Sequence, residues 1–296
     1  LNKRLDDIKQ DYTKFSGFQK YTPYRHWEYL DHQTQDRLRI VPERGGLITE
    51  WKCNGTEILY FDLERFQLKN KSIRGGIPIL FPICGDLPNN VLTLSQGDFF
   101  INQHGFARNM PWEIKDLGNS LGISLSLSSS PETFRFFPFP FAIQMAIKLE
   151  RNCLDIKILI KNLGKEDMPF SFGLHPYFKV QDLENISIQG LPENCINHLN
   201  MKKTSTKSQL DKISKGIDFL TDPRGSVSLL DLSTMRSIEM QTKFPMDLAV
   251  LWTDPPRDMV CLEPWTSPRN SLINGNRKIL IGSGESEELF CRFVSN

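Results

Sequence analysis

Apolar and polar residues alternate along much of this chain. Leu121, Ile123, Leu125 and Leu127 interleave with Gly122, Ser124, Ser126 and Ser128. Ile143, Met145, Ile147 and Leu149 interleave with Gln144, Ala146, Lys148 and Glu150. Leu154, Ile156, Ile158 and Ile160 follow at the same spacing, after Arg151-Asn152. A period of two puts every apolar side chain on one face of an extended strand. The last two runs, joined by a tight turn, predict a long hairpin with one buried face. Further strand-like runs cover 38–41, 47–53, 57–61, 185–189, 227–232, 248–252, 259–263 and 289–293. No apolar pattern of helical period is sustained. The chain therefore predicts an all-β protein, an antiparallel sandwich or barrel.

Residues 1–20 are mixed polar and predict an N-terminal arm or a short helix. Residues 21–296 predict one β-sandwich domain, because no Pro/Gly/Ser-rich linker divides them. Residues 190–215 carry the run Lys202-Lys203-Thr204-Ser205-Thr206-Lys207 and read as a surface excursion. No internal repeat of fixed period is present.

Composition agrees with the pattern. Only four Ala occur among 296 residues, and Ala is the best helix former. The charges nearly cancel, 36 Lys+Arg against 35 Asp+Glu. That balance excludes a strongly basic nucleic-acid binder. No stretch approaches the ~20 apolar residues of a membrane helix. The segment Leu1-Asn2-Lys3-Arg4-Leu5-Asp6-Asp7 lacks an apolar signal core. Six Cys are scattered with no C-x-x-C pair, which disfavours a zinc finger or redox dithiol. Reduced thiols and no signal predict a cytoplasmic protein.

Four segments interrupt the strand rhythm and are dense in chemically useful residues. They are Ile73-Arg74-Gly75-Gly76-Ile77-Pro78-Ile79-Leu80-Phe81-Pro82-Ile83-Cys84-Gly85, Gln103-His104-Gly105-Phe106-Ala107-Arg108, Phe170-Ser171-Phe172-Gly173-Leu174-His175-Pro176-Tyr177-Phe178, and Val260-Cys261-Leu262-Glu263-Pro264-Trp265-Thr266-Ser267-Pro268. Each has an ordinary explanation when taken singly. A His beside Gly is commonly a turn residue, Glu263 fits a strand exit facing water, and Trp265 fits a packing aromatic. Glu263 nevertheless ends an apolar run, where a carboxylate needs a partner. Glycines beside Arg74 let backbone approach a ligand closely, with a guanidinium at hand.

Together and in this order, the segments resemble the aldose 1-epimerase, or galactose mutarotase-like, family. The R-G-G-I-P and Q-H-G-F-A-R segments are most similar to its hexose-6-phosphate mutarotase branch. The resemblance extends over roughly residues 27–293. It implies a large antiparallel β-sandwich of the galactose mutarotase type, and an isomerase that interconverts the α and β anomers of a hexose. Glu263 matches the family's general base and His175 its general acid. His104 matches a second His that holds substrate hydroxyls. Asp218 looks like the substrate-binding Asp, with Asp222 as the other candidate. Arg74 and Arg108 match arginines of the sugar-phosphate branch, and Gln103 and Trp265 lie in the same motifs. Trp265 stands where that branch often has a small residue.

The residue types suit the reaction. Anomer exchange removes a proton from O1 and delivers one to the ring oxygen O5; the ring opens, C1–C2 rotates and the ring closes. A carboxylate and an imidazolium exchange protons near neutral pH. No cofactor and no resident metal are required. The expected partner is a small-molecule sugar or sugar phosphate, with no nucleic acid or membrane, and the expected state is a monomer or weak dimer. Rival readings are a neutral-aldose mutarotase, a non-catalytic carbohydrate-binding sandwich, a metal triad of His104, His175 and Glu263, and a glycoside hydrolase using Glu263 with Asp218.

Overall fold

A computed structural model describes residues 14–20, 23–68, 70–117 and 122–296. Every strand pairing among them is antiparallel. One large sheet runs in the order Ile186–Gln189, Val227–Asp231, Arg236–Thr242, Ser286–Ser295, Cys153–Asn162, Phe141–Glu150, Ile123–Ser128, Glu113–Asp116. A second runs Lys202–Ser205, Asn194–Asn197, Asp218–Thr221, Leu248–Trp252, Met259–Trp265, Gly173–Leu174, Ile79–Leu80, and Tyr177–Lys179 also pairs with Met259–Trp265. A five-stranded sheet, Lys14–Lys20 to Thr56–Glu57, adds to these two. No helix of the described residues is long and apolar enough to cross a membrane.

The predicted hairpin is present. Ile143, Met145 and Ile147 stand opposite Ile160, Ile158 and Ile156, and all six are buried. Arg151 takes φ 46° at the turn. Each such side chain contributes roughly 1.5–3 kcal/mol on burial, which fixes the register: a one-residue slip would turn all of them to water. The polar face is not wholly exposed. Asp155 is buried and accepts two hydrogen bonds from Arg292, each 2.6 Å long.

Three expectations change. Lys14–Lys20, read as arm or short helix, is a strand paired with Arg25–Asp31, while residues 1–13 and Leu121 lie outside the described residues. The 57–61 run is a strand only over Thr56–Glu57, after which Leu59 and Phe61 make isolated bridges. The supposed surface excursion 190–215 contains strands Asn194–Asn197 and Lys202–Ser205 and helix Thr206–Leu210, with Cys195, His198, Thr206, Gln209 and Ile213 buried. Lys202 and Lys203 are exposed on the outermost strand of the second sheet. Edge lysines of this kind oppose further strand addition, which explains a charge run on a structured element.

Candidate active site

Every residue of Met259–Trp265 is buried, Glu263 included. An apolar strand in the middle of a sheet thus carries a carboxylate into the interior. The strand register explains its partner. Gly173 pairs with Trp265, and Tyr177 pairs with Cys261. The same antiparallel register places His175, midway between Gly173 and Tyr177, across from Glu263. Pro264 and Pro176 flank this position, and neither has an N–H for the ladder. The His175 N–H turns instead to the Pro78 carbonyl, 2.9 Å away. Cross-strand neighbours of this kind bring their side chains together, and His175 Nε2 lies 3.4 Å from Glu263 Oε1.

The second carboxylate oxygen is also held. Trp265 Nε1–H donates to Glu263 Oε2 at 3.0 Å. Trp265 is itself 1% exposed and stacks beside His198. Its indole therefore supports the carboxylate and does not offer a free face to a sugar. The His175 ring stacks on Tyr177, with centroids 4.7 Å apart, and meets the edge of Trp252.

His104 sits at φ 66° in a tight loop, next to Gly105 at φ 71°. A Cβ on Gly105 would stand 2.1 Å from the Phe81 carbonyl, so only glycine fits. His104 clasps Gly85 at two points. Its backbone N–H donates to the Gly85 carbonyl at 2.6 Å, and the Gly85 N–H donates to His104 Nδ1 at 3.1 Å. An Nδ1 that accepts is unprotonated, so the ring is neutral and Nε2 carries the hydrogen. His104 is thereby set as a donor. Its ring meets those of His175 and Trp265 edge-on.

Asp218 is braced on both oxygens, by His198 Nδ1 at 2.7 Å and Arg269 Nη2 at 3.0 Å. Arg269 also reaches Asp86 at 3.2 Å. Arg74 lies over the Trp252 ring and 3.7 Å from Asp254. Arg108 donates to the Gln103 carbonyl at 2.7 Å and forms no ion pair with a described carboxylate. These groups line one cavity of about 190 Å³, in which Arg74, Gln103, His104, Arg108, His175, Asp218, Glu263 and Trp265 all take part. At ~30 Å³ per water, that is the space of about six waters, comparable to a single sugar ring.

The aldose 1-epimerase family model matches residues 30–292. The chain belongs to the aldose 1-epimerase family. A Synechocystis sp. PCC 6803 protein of solved structure is 35% identical, with a TM-score of 0.88 over 94% of this chain and 98% of its own. A galactose mutarotase-like protein from Clostridium acetobutylicum has a TM-score of 0.80 at 18% identity, covering 96% of this chain and 99% of its own, and shares the fold. Relatives named "Putative glucose-6-phosphate 1-epimerase" from Cenchrus ciliaris and Escherichia coli K12 are 28% and 29% identical, over 70% and 54% of this chain. The matched regions span 64% and 51% of those relatives' own lengths.

Within this aldose 1-epimerase fold, all eight residues singled out in the sequence meet at one cavity. Two details differ from expectation. Glu263 does not face water at a strand exit; it is 1% exposed in mid-strand. A base and an acid on either side of the C1–O5 bond are expected about a sugar ring's width apart; Glu263 and His175 are instead in contact, because the register makes them neighbours. Asp222 is exposed and does not line the cavity, which leaves Asp218. The arginine that pairs with Asp218 is Arg269. Arg269, His198, Tyr177 and Trp252 escaped the sequence reading. Tyr177 lay inside a recognised motif, whereas His198 was hidden in the polar segment taken for a loop.

Burial dominates the electrostatics. It raises the Glu263 pKa well above the ordinary carboxylate range; the nearby Asp218 charge adds to this, and the Trp265 hydrogen bond opposes it. Burial, with Arg108 and Arg74 nearby, lowers His175 to about 3. Burial and Arg108 likewise hold His104 well below its usual value. Burial thus favours the uncharged form of each partner, with the pair's proton on Glu263 rather than on His175. Such a pair holds the same number of protons as a carboxylate–imidazolium pair. A candidate metal-binding group among the described residues is His175, Cys261 and Glu263. It does not include His104, whose Nδ1 is committed to Gly85.

Proposed function

We propose that the protein is a mutarotase that interconverts the anomers of an aldohexose, with a hexose 6-phosphate as preferred substrate. The observation that carries the reading is the buried Glu263–His175 contact at 3.4 Å, opening into a cavity the size of one sugar ring. O1 and O5 of a pyranose are bonded to the same carbon. Two proton-exchanging groups in contact therefore suit them better than groups on opposite sides of a ring. In the reacting form the pair's proton lies on His175. Glu263 takes the O1 proton while His175 Nε2–H protonates O5, the C1–O5 bond breaks and a free aldehyde forms. Rotation about C1–C2 presents the other carbonyl face, and the same two groups return the protons. His104 Nε2–H and Asp218 hold hydroxyls, and no atom is gained or lost.

The 6-phosphate reading is supported by Arg108, whose half-buried guanidinium has no carboxylate partner among the described residues. An uncompensated cation on a cavity wall favours an anionic ligand. Arg74, on the same wall, adds a second guanidinium. The six cysteines are unpaired, which fits a reducing compartment, and we place the activity in the cytoplasm. Exchange NMR on glucose, galactose and their 6-phosphates tests the proposal. We expect enzyme-dependent anomerisation, fastest at low concentration for a 6-phosphate. Anomer exchange at the spontaneous rate for all four would reject a mutarotase, and no preference for a phosphate would leave a neutral-aldose enzyme.

A further inference from the structure

Cys261 precedes Glu263 by two residues on one strand, so the two side chains share a face. Cys261 is fully buried, and its sulfur contacts Met259 Sδ at 3.8 Å. It stands opposite Tyr177, which stacks on the His175 ring. One sulfur, one imidazole nitrogen and one carboxylate oxygen consequently lie within 4.8 Å of one another, all on buried residues. The His175 ring is held by stacking on Tyr177, and its Nδ1 makes no side-chain hydrogen bond although the residue is only 8% exposed. The mutarotase mechanism uses neither Cys261 nor this nitrogen.

Tetrahedral zinc holds S, N and O donors at about 2.0–2.3 Å, which sets them about 3.3–3.6 Å from one another. His175 Nε2 and Glu263 Oε1 already stand 3.4 Å apart. A modest approach of Sγ completes three ligands, two of which, His175 and Glu263, line the cavity. We propose that His175, Cys261 and Glu263 form an inhibitory site for a thiophilic divalent cation, zinc or cadmium, which takes the catalytic pair out of use. Binding exchanges the thiol proton and the pair's shared proton for the cation, releasing two protons with no redox change. The sulfur ligand selects against Mg²⁺ and Ca²⁺, which prefer oxygen. Sugar and cation compete, because both claim the same imidazole and carboxylate. The inhibition rests on the mutarotase reading; the binding does not.

Cadmium titration of the whole chain, followed by the ultraviolet thiolate-to-metal charge-transfer band, tests binding alone. The band is expected in the wild type, to be lost in Cys261→Ser and in Cys261→Ala, and to weaken when glucose 6-phosphate is present. In anomer-exchange assays zinc should inhibit competitively with sugar and reversibly on chelation, and Mg²⁺ should not inhibit. Both Cys261 variants should keep their basal rate and require at least about 10- to 100-fold more zinc, as for losing part of a metal site. A band that persists in both variants, or an unchanged inhibition constant, would overturn the site. A wild type that binds cadmium through Cys261 but leaves every sugar untouched would sink the mutarotase reading and keep the metal site.

Discussion

Replacing Trp265 by Phe keeps a large aromatic in the core and deletes one donor, the indole N–H on Glu263 Oε2 at 3.0 Å. That hydrogen bond favours the ionised carboxylate, and it opposes the rise in the Glu263 pKa. A buried hydrogen bond to a charged group is worth about 1.5–3 kcal/mol. Its loss raises the Glu263 carboxyl further and, at 1.36 kcal/mol per factor of ten, disfavours its ionised form by about 10- to 100-fold. The reacting form, with the proton on His175 and the charge on Glu263, then becomes about 10- to 100-fold rarer. Trp265→Phe should therefore lower kcat by that factor, with KM for the sugar changed less than about threefold. Anomer-exchange NMR, with spontaneous mutarotation subtracted, separates the two constants. An unchanged kcat with a raised KM would refute the reasoning: Trp265 would then be a sugar-stacking surface, and its hydrogen bond to Glu263 would be incidental.

Glu263→Gln and His175→Asn keep shape and remove proton exchange, so each should cut kcat by about 10²- to 10⁴-fold with an unchanged circular dichroism spectrum; turnover near that of the wild type would remove the role from that residue. Arg108→Ala should raise KM for glucose 6-phosphate by about 10- to 150-fold, the loss of ~1.5–3 kcal/mol, while leaving KM for glucose nearly alone, and equal effects on both sugars would reject a phosphate contact. With His175 depressed to about 3, a second proton joins the pair only near that pH, so the acid limb of kcat/KM should lie below pH 5; a limb near pH 6.5 would mean an ordinary imidazole. Gly105→Ala meets the Phe81 carbonyl at 2.1 Å and requires φ 71°, so it should lower Tm by at least several degrees and reduce turnover by displacing His104, whereas a wild-type Tm would mean that the loop relaxes freely.

Alternation alone was enough to write the hairpin of Phe141–Glu150 and Cys153–Asn162, because each buried side chain declares its face locally and the register follows from the tally of faces. Motif order was enough to gather Arg74, His104, Arg108, His175 and Glu263. Their geometry was not legible in that order. Whether Glu263 leaves its strand toward water or stays inside depends on which strands flank it, and that is a matter of long-range pairing. The contact with His175 exists because two segments nearly ninety residues apart share one register, in which Gly173 meets Trp265 and Tyr177 meets Cys261. His198 shows the same limit from the other side. Its neighbours are polar and charged, so local composition reads as loop, yet the ladder of Asn194–Asn197 on Asp218–Thr221 carries it under Asp218. Strand faces are set by burial that each residue expresses where it stands in the chain. The charge states and partners of Glu263 and His175 are set by distances that only the assembled sheet defines, because desolvation and Coulomb interactions act through space and not along the sequence.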